Sequence, residues 1–204
     1  MPRGTTERMA TYLRVIDTLA SHGVATAPST TLAQRAGVSA AQFRKDLSLA
    51  GATSGVRGSG YVLSRLRGEL RRALGGFARV RFVIVGAGNL GRALASSSAF
   101  RRDGLDLVAI FDVDPRVVGS EVAGLRVRHD SDLGQVIEEQ EVAIAVIAVS
   151  EDHAQVVADN VVGAGVREIL NFVPVALRVP TSVEIRTVDL GVELQMLAIH
   201  ARRS

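Results

Sequence analysis

Hydrophobic positions along the chain follow a helical period first and a strand–helix alternation afterwards. From Glu7 to His22 apolar residues recur on one side of a helix (Met9, Tyr12, Leu13, Ile16, Leu19-Ala20), and Gly23 supplies the stop. Pro28-Ser29-Thr30 opens a short second helix, Thr31 to Ala36, ended by Gly37, and Ser39 is a good N-cap for a third, Ala40 to Leu49. A glycine-rich stretch with β-formers only at its end (52–63) predicts a small hairpin, followed by a basic helix over 63–74 and a boundary at Gly75-Gly76. Beyond it, strands are predicted at 81–85, 107–111, 124–127, 142–149, 168–171 and 183–188, and helices at 90–97, 133–139 and 152–163. The run 142–149 is apolar throughout, which suits a central strand covered on both faces, so the sheet is expected to be parallel and doubly wound. The last helix, 190–201, carries two apolar stripes, Leu190, Leu194, Leu197 and Val192, Met196, Ile199. Exposed on a monomer it would leave a large patch, so it is expected to be buried between subunits of a homodimer. The pattern divides the chain into a head (1–76), an α/β body (77–188) and a dimerisation helix (189–204).

Composition narrows the classes. The 204 residues are 47% hydrophobic and 22% charged, enough for a packed core. Without cysteine the chain has no disulfide, thiolate metal site or thiol nucleophile, and its four histidines lack ligand spacing, so no metal is expected. No apolar run reaches membrane-spanning length and no signal peptide is apparent, which predicts a cytoplasmic protein with no membrane partner. The formal net charge of +3 is unevenly spread. Residues 1–76 hold eleven basic side chains against four acidic, a net +7, and the rest thirteen against seventeen, a net −4. A basic head on an acidic body points to an anionic polymer as partner of the head alone.

Val80 to Val85 runs into Gly86-Ala87-Gly88-Asn89-Leu90-Gly91, a helix pattern follows, and Asp112 closes the next apolar run 21 residues after the last glycine. In such a constellation Gly86 permits the turn, Gly88 lets backbone N–H groups reach a pyrophosphate, Gly91 lets helix pack on strand, and the acid accepts ribose hydroxyls. Asp112 favours NAD(H) over NADP(H), although Arg116 stands nearby. Ligands on doubly wound sheets lie beyond the carboxyl ends of the strands. Asp112-Val113, Ala148-Val149 and Asn171-Phe172 are expected at that edge beside the glycines. No acid–base set converges there, and Glu151-Asp152-His153 reads as a helix N-terminus with acids suited to the dipole, so an enzyme is not expected. A minimal NAD-dependent oxidoreductase remains the alternative.

Two short helices joined by Gly37-Val38-Ser39 form a helix-turn-helix signature. With Phe43 and Leu47 packed inward, Gln42, Arg44, Lys45 and Ser48 point outward, able to pair with base edges or phosphates in a major groove. Arg57 at the hairpin tip suits a narrow minor groove.

Taken together, Thr11-Tyr12-Leu13-Arg14, the segment 42–48, Arg57-Gly58-Ser59-Gly60-Tyr61, the glycine motif, Phe111-Asp112-Val113-Asp114-Pro115 and Asn171-Phe172-Val173-Pro174 resemble the Rex family of redox-sensing transcriptional repressors. The resemblance implies a winged helix-turn-helix head and a Rossmann body binding NAD(H). It also implies a homodimer with a swapped C-terminal helix, release of a palindromic operator when NADH rises, and DNA contacts that include Ser39, Gly58 and Tyr61. Ser97 stands where the family has a tyrosine and Leu190 where it has an aromatic, while Arg14 and Asp189 of the same switch are present. These departures raise an alternative: a DNA-binding regulator that ignores NADH or reads another adenine nucleotide. Reduced nicotinamide is less polar than the oxidised cation, so an apolar pocket near Phe172 is expected to favour NADH.

Overall fold

A computed structural model describes residues 2–56, 60–76, 79–97 and 104–201. They form two compact units, Met1–Ala78 and Arg79–Ser204.

In the first unit α1 (Arg3–Ser21) starts four residues before the apolar pattern does, because its first turn is polar. It buries Met9, Tyr12, Leu13, Ile16 and Leu19. The short strand β1 (Thr26–Ala27) leads to α2 (Ser29–Arg35) and α3 (Ala40–Leu49). Ser39 Oγ accepts from the Gln42 backbone N–H at 3.1 Å, the N-cap the sequence predicted. Strands β2 (Gly55–Val56) and β3 (Gly60–Val62) make the hairpin, and α4 (Leu63–Ala73) follows. The sheet is antiparallel in the order β1-β3-β2. Phe43 sits at the centre of the core, its ring 4.7 Å from Tyr12 and 5.9 Å from Tyr61, both edge-on. Four helices and a hairpin around this core make a winged helix-turn-helix, with α3 in the recognition position.

The second unit runs β4 (Val80–Val85), α5 (Asn89–Ser96), β5 (Leu105–Asp112), β6 (Glu121–Val122), β7 (Leu125–His129), α6 (Leu133–Glu139), β8 (Ile144–Ile147), α7 (Glu151–Gly163), β9 (Glu168–Asn171), β10 (Glu184–Thr187) and α8 (Leu190–Ala201). The sheet order is β10-β9-β8-β4-β5-β7-β6. Every pair is parallel except β6–β7, a two-residue hairpin partner that adds an antiparallel edge to the sheet expected to be wholly parallel. The central strand is shorter than its apolar run: Ile144–Ile147 pair with β4 and β9, whereas Val142 is used to close α6 by donating to Ile137 O.

Helices cover both faces. Val136, Ile137, Ala154, Val157, Ala158 and Val161 of α6 and α7 pack on Val83, Val85, Phe111, Ala145 and Ile147. Ala95 of α5 packs on the opposite face with Phe82, Ile84, Ile110 and Val146. This is the doubly wound Rossmann arrangement, whose strand order reverses between β4 and β8. On α8 no residue is buried, and Leu194 and Leu197 are 67% and 66% exposed.

Candidate functional site

The reversal point between β4 and β8 opens a cleft of about 250 Å³ lined by Val85, Gly86, Gly88, Asp112, Val113, Asp130, Ala148, Val149, Ser150, His153, Val156 and Val157. Its floor is the glycine turn. A Cβ on Gly91 would stand 1.8 Å from Gly86 O, and one on Gly86, whose φ is +104°, would stand 2.3 Å from Ala148 O. Both positions are therefore closed to any side chain. Gly88 is the opposite: a Cβ there would meet nothing within 4 Å, so the backbone lies open to a ligand. Gly88 is also the N-cap of α5, which has no side-chain cap, and the N–H groups of Asn89 and Leu90 begin the helix. Uncapped N–H groups at the positive end of a helix dipole are an anion cradle.

Asp112 ends β5 on the rim of this cradle. Its Oδ2 accepts from the Ala87 N–H at 2.7 Å and its Oδ1 from the Asp114 N–H at 2.9 Å. One lone pair on each oxygen remains for a ribose hydroxyl. Arg116, a cation that would welcome a 2′-phosphate, is drawn instead onto Asp114 at 2.7 Å, and its guanidinium lowers the Asp114 carboxyl to about 2. Asp130, Ser150 and His153 add polar groups to the lining, and half-exposed Val113 and Val156 are suited to the faces of a purine. Donors at the turn, an acid at the ribose distance and apolar walls fit a dinucleotide.

Three expected cofactor residues do something else. Ala87 is fully buried, its N–H taken by Asp112 and its carbonyl by Arg92 Nε at 2.8 Å, so it ties the turn together and offers the ligand nothing. Asn171 is also fully buried: its amide donates to Val173 O and Val175 O and accepts from the Val173 N–H. It therefore shapes the turn after β9. Phe172 on that turn is half-buried and packs with the cluster around Ala95 and Val146, outside the cleft lining.

Arg92 went unnoticed in the sequence. It clamps the glycine turn from behind and bonds Ser120 Oγ at 3.1 Å, linking α5 to the segment before β6. Its position one turn after Gly88 was the available signal. Glu151 and Asp152 stand exposed in the first turn of α7, and His153 bonds back to Ser150 Oγ at 2.9 Å, as a helix start requires.

In the head, Arg44, Lys45 and Ser48 are exposed on α3 as expected. Gln42 is not: it is half-buried, its Nε2 donating to Asp46 Oδ1 at 2.8 Å. Ser39 is exposed beside it as the N-cap. Tyr61 is half-buried against Phe43, so its ring belongs to the core. Arg57 and Gly58 lie outside the described residues. Asp46, one of the head's four acidic residues, has a fully buried side chain. Arg8 grips it through Nε at 2.6 Å and Nη2 at 2.8 Å, and the Tyr12 hydroxyl donates to it at 2.7 Å. The guanidinium beside it lowers the Asp46 carboxyl to about 2, and burial against Asp46 pushes the Tyr12 hydroxyl up.

Of the positions that the resemblance assigns to a switch, Arg14 is exposed on α1, with Nη2 3.3 Å from Thr11 Oγ1. Ser97 is the half-buried residue ending α5. Asp189 caps α8, its Oδ1 accepting from the N–H groups of Gly191 and Val192 at 2.9 and 3.1 Å, and Leu190 is 59% exposed.

Residues 78–175 match the family described as "CoA binding domain", and residues 1–48 match "Putative DNA-binding protein N-terminus". The chain is 43% identical to the redox-sensing transcriptional repressor Rex of Streptomyces coelicolor, covering all of this chain and 78% of that one. It is 40% identical to Rex of Carboxydothermus hydrogenoformans, covering 97% of it. Among solved structures, RSP in complex with β-NADH is similar at a TM-score of 0.85 and 30% identity, covering all of this chain and 95% of that one. RSP in complex with β-NAD+ and operator DNA is similar at a TM-score of 0.87 and the same identity, covering 93% of that chain.

Proposed function

The chain belongs to the Rex family of redox-sensing transcriptional repressors, and from that premise we propose that it binds a palindromic operator as a homodimer and leaves it when NADH occupies the cleft over Gly88. The observation that carries this reading is the open backbone at Gly88, set at the sheet's reversal point in a chain whose other unit is a winged helix.

Pyrophosphate lies on the N–H groups of Asn89 and Leu90, the adenosine ribose on Asp112, and the purine between Val113 and the valines of α7. Gln42, Arg44, Lys45 and Ser48 face the major groove, Ser39 and Arg57-Gly58 the backbone and minor groove, and Tyr61 braces the wing from within. NADH favours a closed dimer in which two recognition helices lose the separation of about one helical turn that adjacent major grooves demand. Arg14 and Asp189 latch one of the two states. The chain carries no catalytic task, and it acts in the cytoplasm, where a repressor meets DNA. Among the described residues no helix is long and apolar enough to cross a membrane.

The test is titration of the DNA complex with NADH, NAD+, ATP and coenzyme A at one salt concentration, since phosphate contacts make the affinity steeply salt-dependent. NADH is expected to displace the protein at the lowest concentration. Equal indifference to all four would replace this reading with the constitutive regulator that Ser97 and Leu190 suggest, and steady NADH turnover would revive the oxidoreductase.

A further inference from the structure

Asp46 lies on α3 between Phe43 and Leu47 with both carboxylate oxygens fully engaged. Oδ1 accepts from Arg8 Nη2 and from Gln42 Nε2, each at 2.8 Å, and Oδ2 from Arg8 Nε at 2.6 Å and the Tyr12 hydroxyl at 2.7 Å. An amide can ordinarily be placed either way round, and the network decides which. Here the decision is made by charge. An ionised carboxylate has no proton to give, and Arg8 keeps this one ionised far below neutral pH. The pole of Gln42 that faces it is therefore the amide nitrogen, and the carbonyl oxygen on the same carbon is turned away. Gln42 is the third residue of α3, at the rim between buried Phe43 and Asp46 and exposed Lys45. Residues at the start of a recognition helix are those that reach base edges.

We propose that Asp46 is a positioning residue for base readout: by holding the Gln42 nitrogen it commits Oε1, an acceptor, to the major groove. That position of the half-site then selects a base carrying an exocyclic amine, adenine or cytosine, on the strand Gln42 faces. Guanine O6 or thymine O4 there would set acceptor against acceptor. A glutamine without such a tether can turn either pole to the groove and discriminates less. The inference rests on the DNA-binding reading above.

Duplexes enriched from a random pool by the full chain define the half-site, and the readout is base preference at each position for wild type, Gln42→Ala and Asp46→Asn. Gln42→Ala is expected to flatten one position per half-site, by about tenfold in discrimination, and to leave the rest intact. Asp46→Asn is expected to flatten or reverse that same position, because Gln42 is then released to turn its nitrogen outward. Its slope of log affinity against log salt stays that of wild type, since no phosphate contact is touched. A merely structural Asp46 would weaken all positions together. That result overturns the proposal, as do an unchanged preference in Asp46→Asn and a Gln42→Ala protein with no position-specific effect.

Should Asp46→Asn fail to fold, base analogues decide with wild type and Gln42→Ala alone. Purine in place of adenine, or pyrimidin-2-one in place of cytosine, at the Gln42-dependent position removes only the amine. The loss is expected to be about tenfold in wild type and absent in Gln42→Ala. No loss in wild type, equal loss in both, or enrichment of guanine or thymine at that position overturns the proposal. A wild-type chain that enriches no sequence at all overturns the DNA-binding reading instead, and the two failures are distinct.

Discussion

Gly88 and Gly91 stand three residues apart and respond oppositely to the same methyl group. Gly91→Ala drives a Cβ into Gly86 O, so the turn must open and the helix must lift from the strand. The expected result is a lower Tm together with lost NADH binding. Gly88→Ala meets nothing in the protein, so the Tm is expected to hold while NADH affinity falls by about tenfold or more, because the methyl occupies the approach of the pyrophosphate. Fluorescence titration with thermal unfolding separates the two. Asp46 has a further signature in pH. Its carboxyl falls from an ordinary 3.8 to about 2 in the fold, so its contribution is complete above about pH 4 and is lost as pH falls through about 2. Asp46→Asn is expected to cost about 2 kcal/mol at neutral pH, less than a fully buried broken pair because Arg8 is one-third exposed, with the gap from wild type closing between about pH 4 and 2. Denaturant unfolding at stepped pH measures it. The glycines could be read from sequence because their necessity is steric and local. The carboxylate could not, since its partner Arg8 lies 38 residues away.

Helix α8 and strand β6 show what pattern reading captures at the level of elements. The bounds of α8 were legible because twelve residues carry two apolar stripes. Strand β6 was missed because two residues have no period to detect, and its antiparallel turn lies in a connection between parallel strands where a helix is usual. Helix α1 shows a third case: its first turn carries no apolar signal, yet through Arg8 and Tyr12 it holds α3, and through Asp17 and Arg67 (2.7 Å) it holds α4. The recognition helix is thereby fixed to the helix that carries Arg14. For α8 the consequence is assembly. Each leucine left exposed forgoes about 1.5–3 kcal/mol of burial, and a second subunit is the partner we propose. Leu194→Glu combined with Leu197→Glu is expected to sediment as a monomer and to lose high-affinity operator binding, while each unit keeps its fold by circular dichroism. A dimer that survives both substitutions would move the interface elsewhere.

At the scale of the whole molecule, the +7 head and the −4 body are two binding devices whose coupling is a free energy and must be reciprocal. If NADH lowers operator affinity by some factor, bound operator must lower NADH affinity by the same factor, and couplings of this kind run from about 5-fold to about 150-fold. The expected outcome is that the NADH Kd measured by fluorescence weakens on adding a saturating operator duplex, by the ratio of the operator affinities found with and without NADH. The oxidised cofactor is expected to give a smaller ratio in both directions, because its charged ring gains less from an apolar site. Charge reversal locates the coupling. Arg14→Glu or Asp189→Arg alone is expected to shrink both ratios together, and the double reversal to restore them if the two side chains meet in one of the two states. Asp189→Arg also removes the α8 cap, at a cost of about 1 kcal/mol, so Asp189→Asn, which keeps a capping oxygen and drops the charge, serves as its control. Ratios of one in both directions would mean that NADH and operator occupy the chain independently, and a double reversal that stays uncoupled would take the latch away from Arg14 and Asp189.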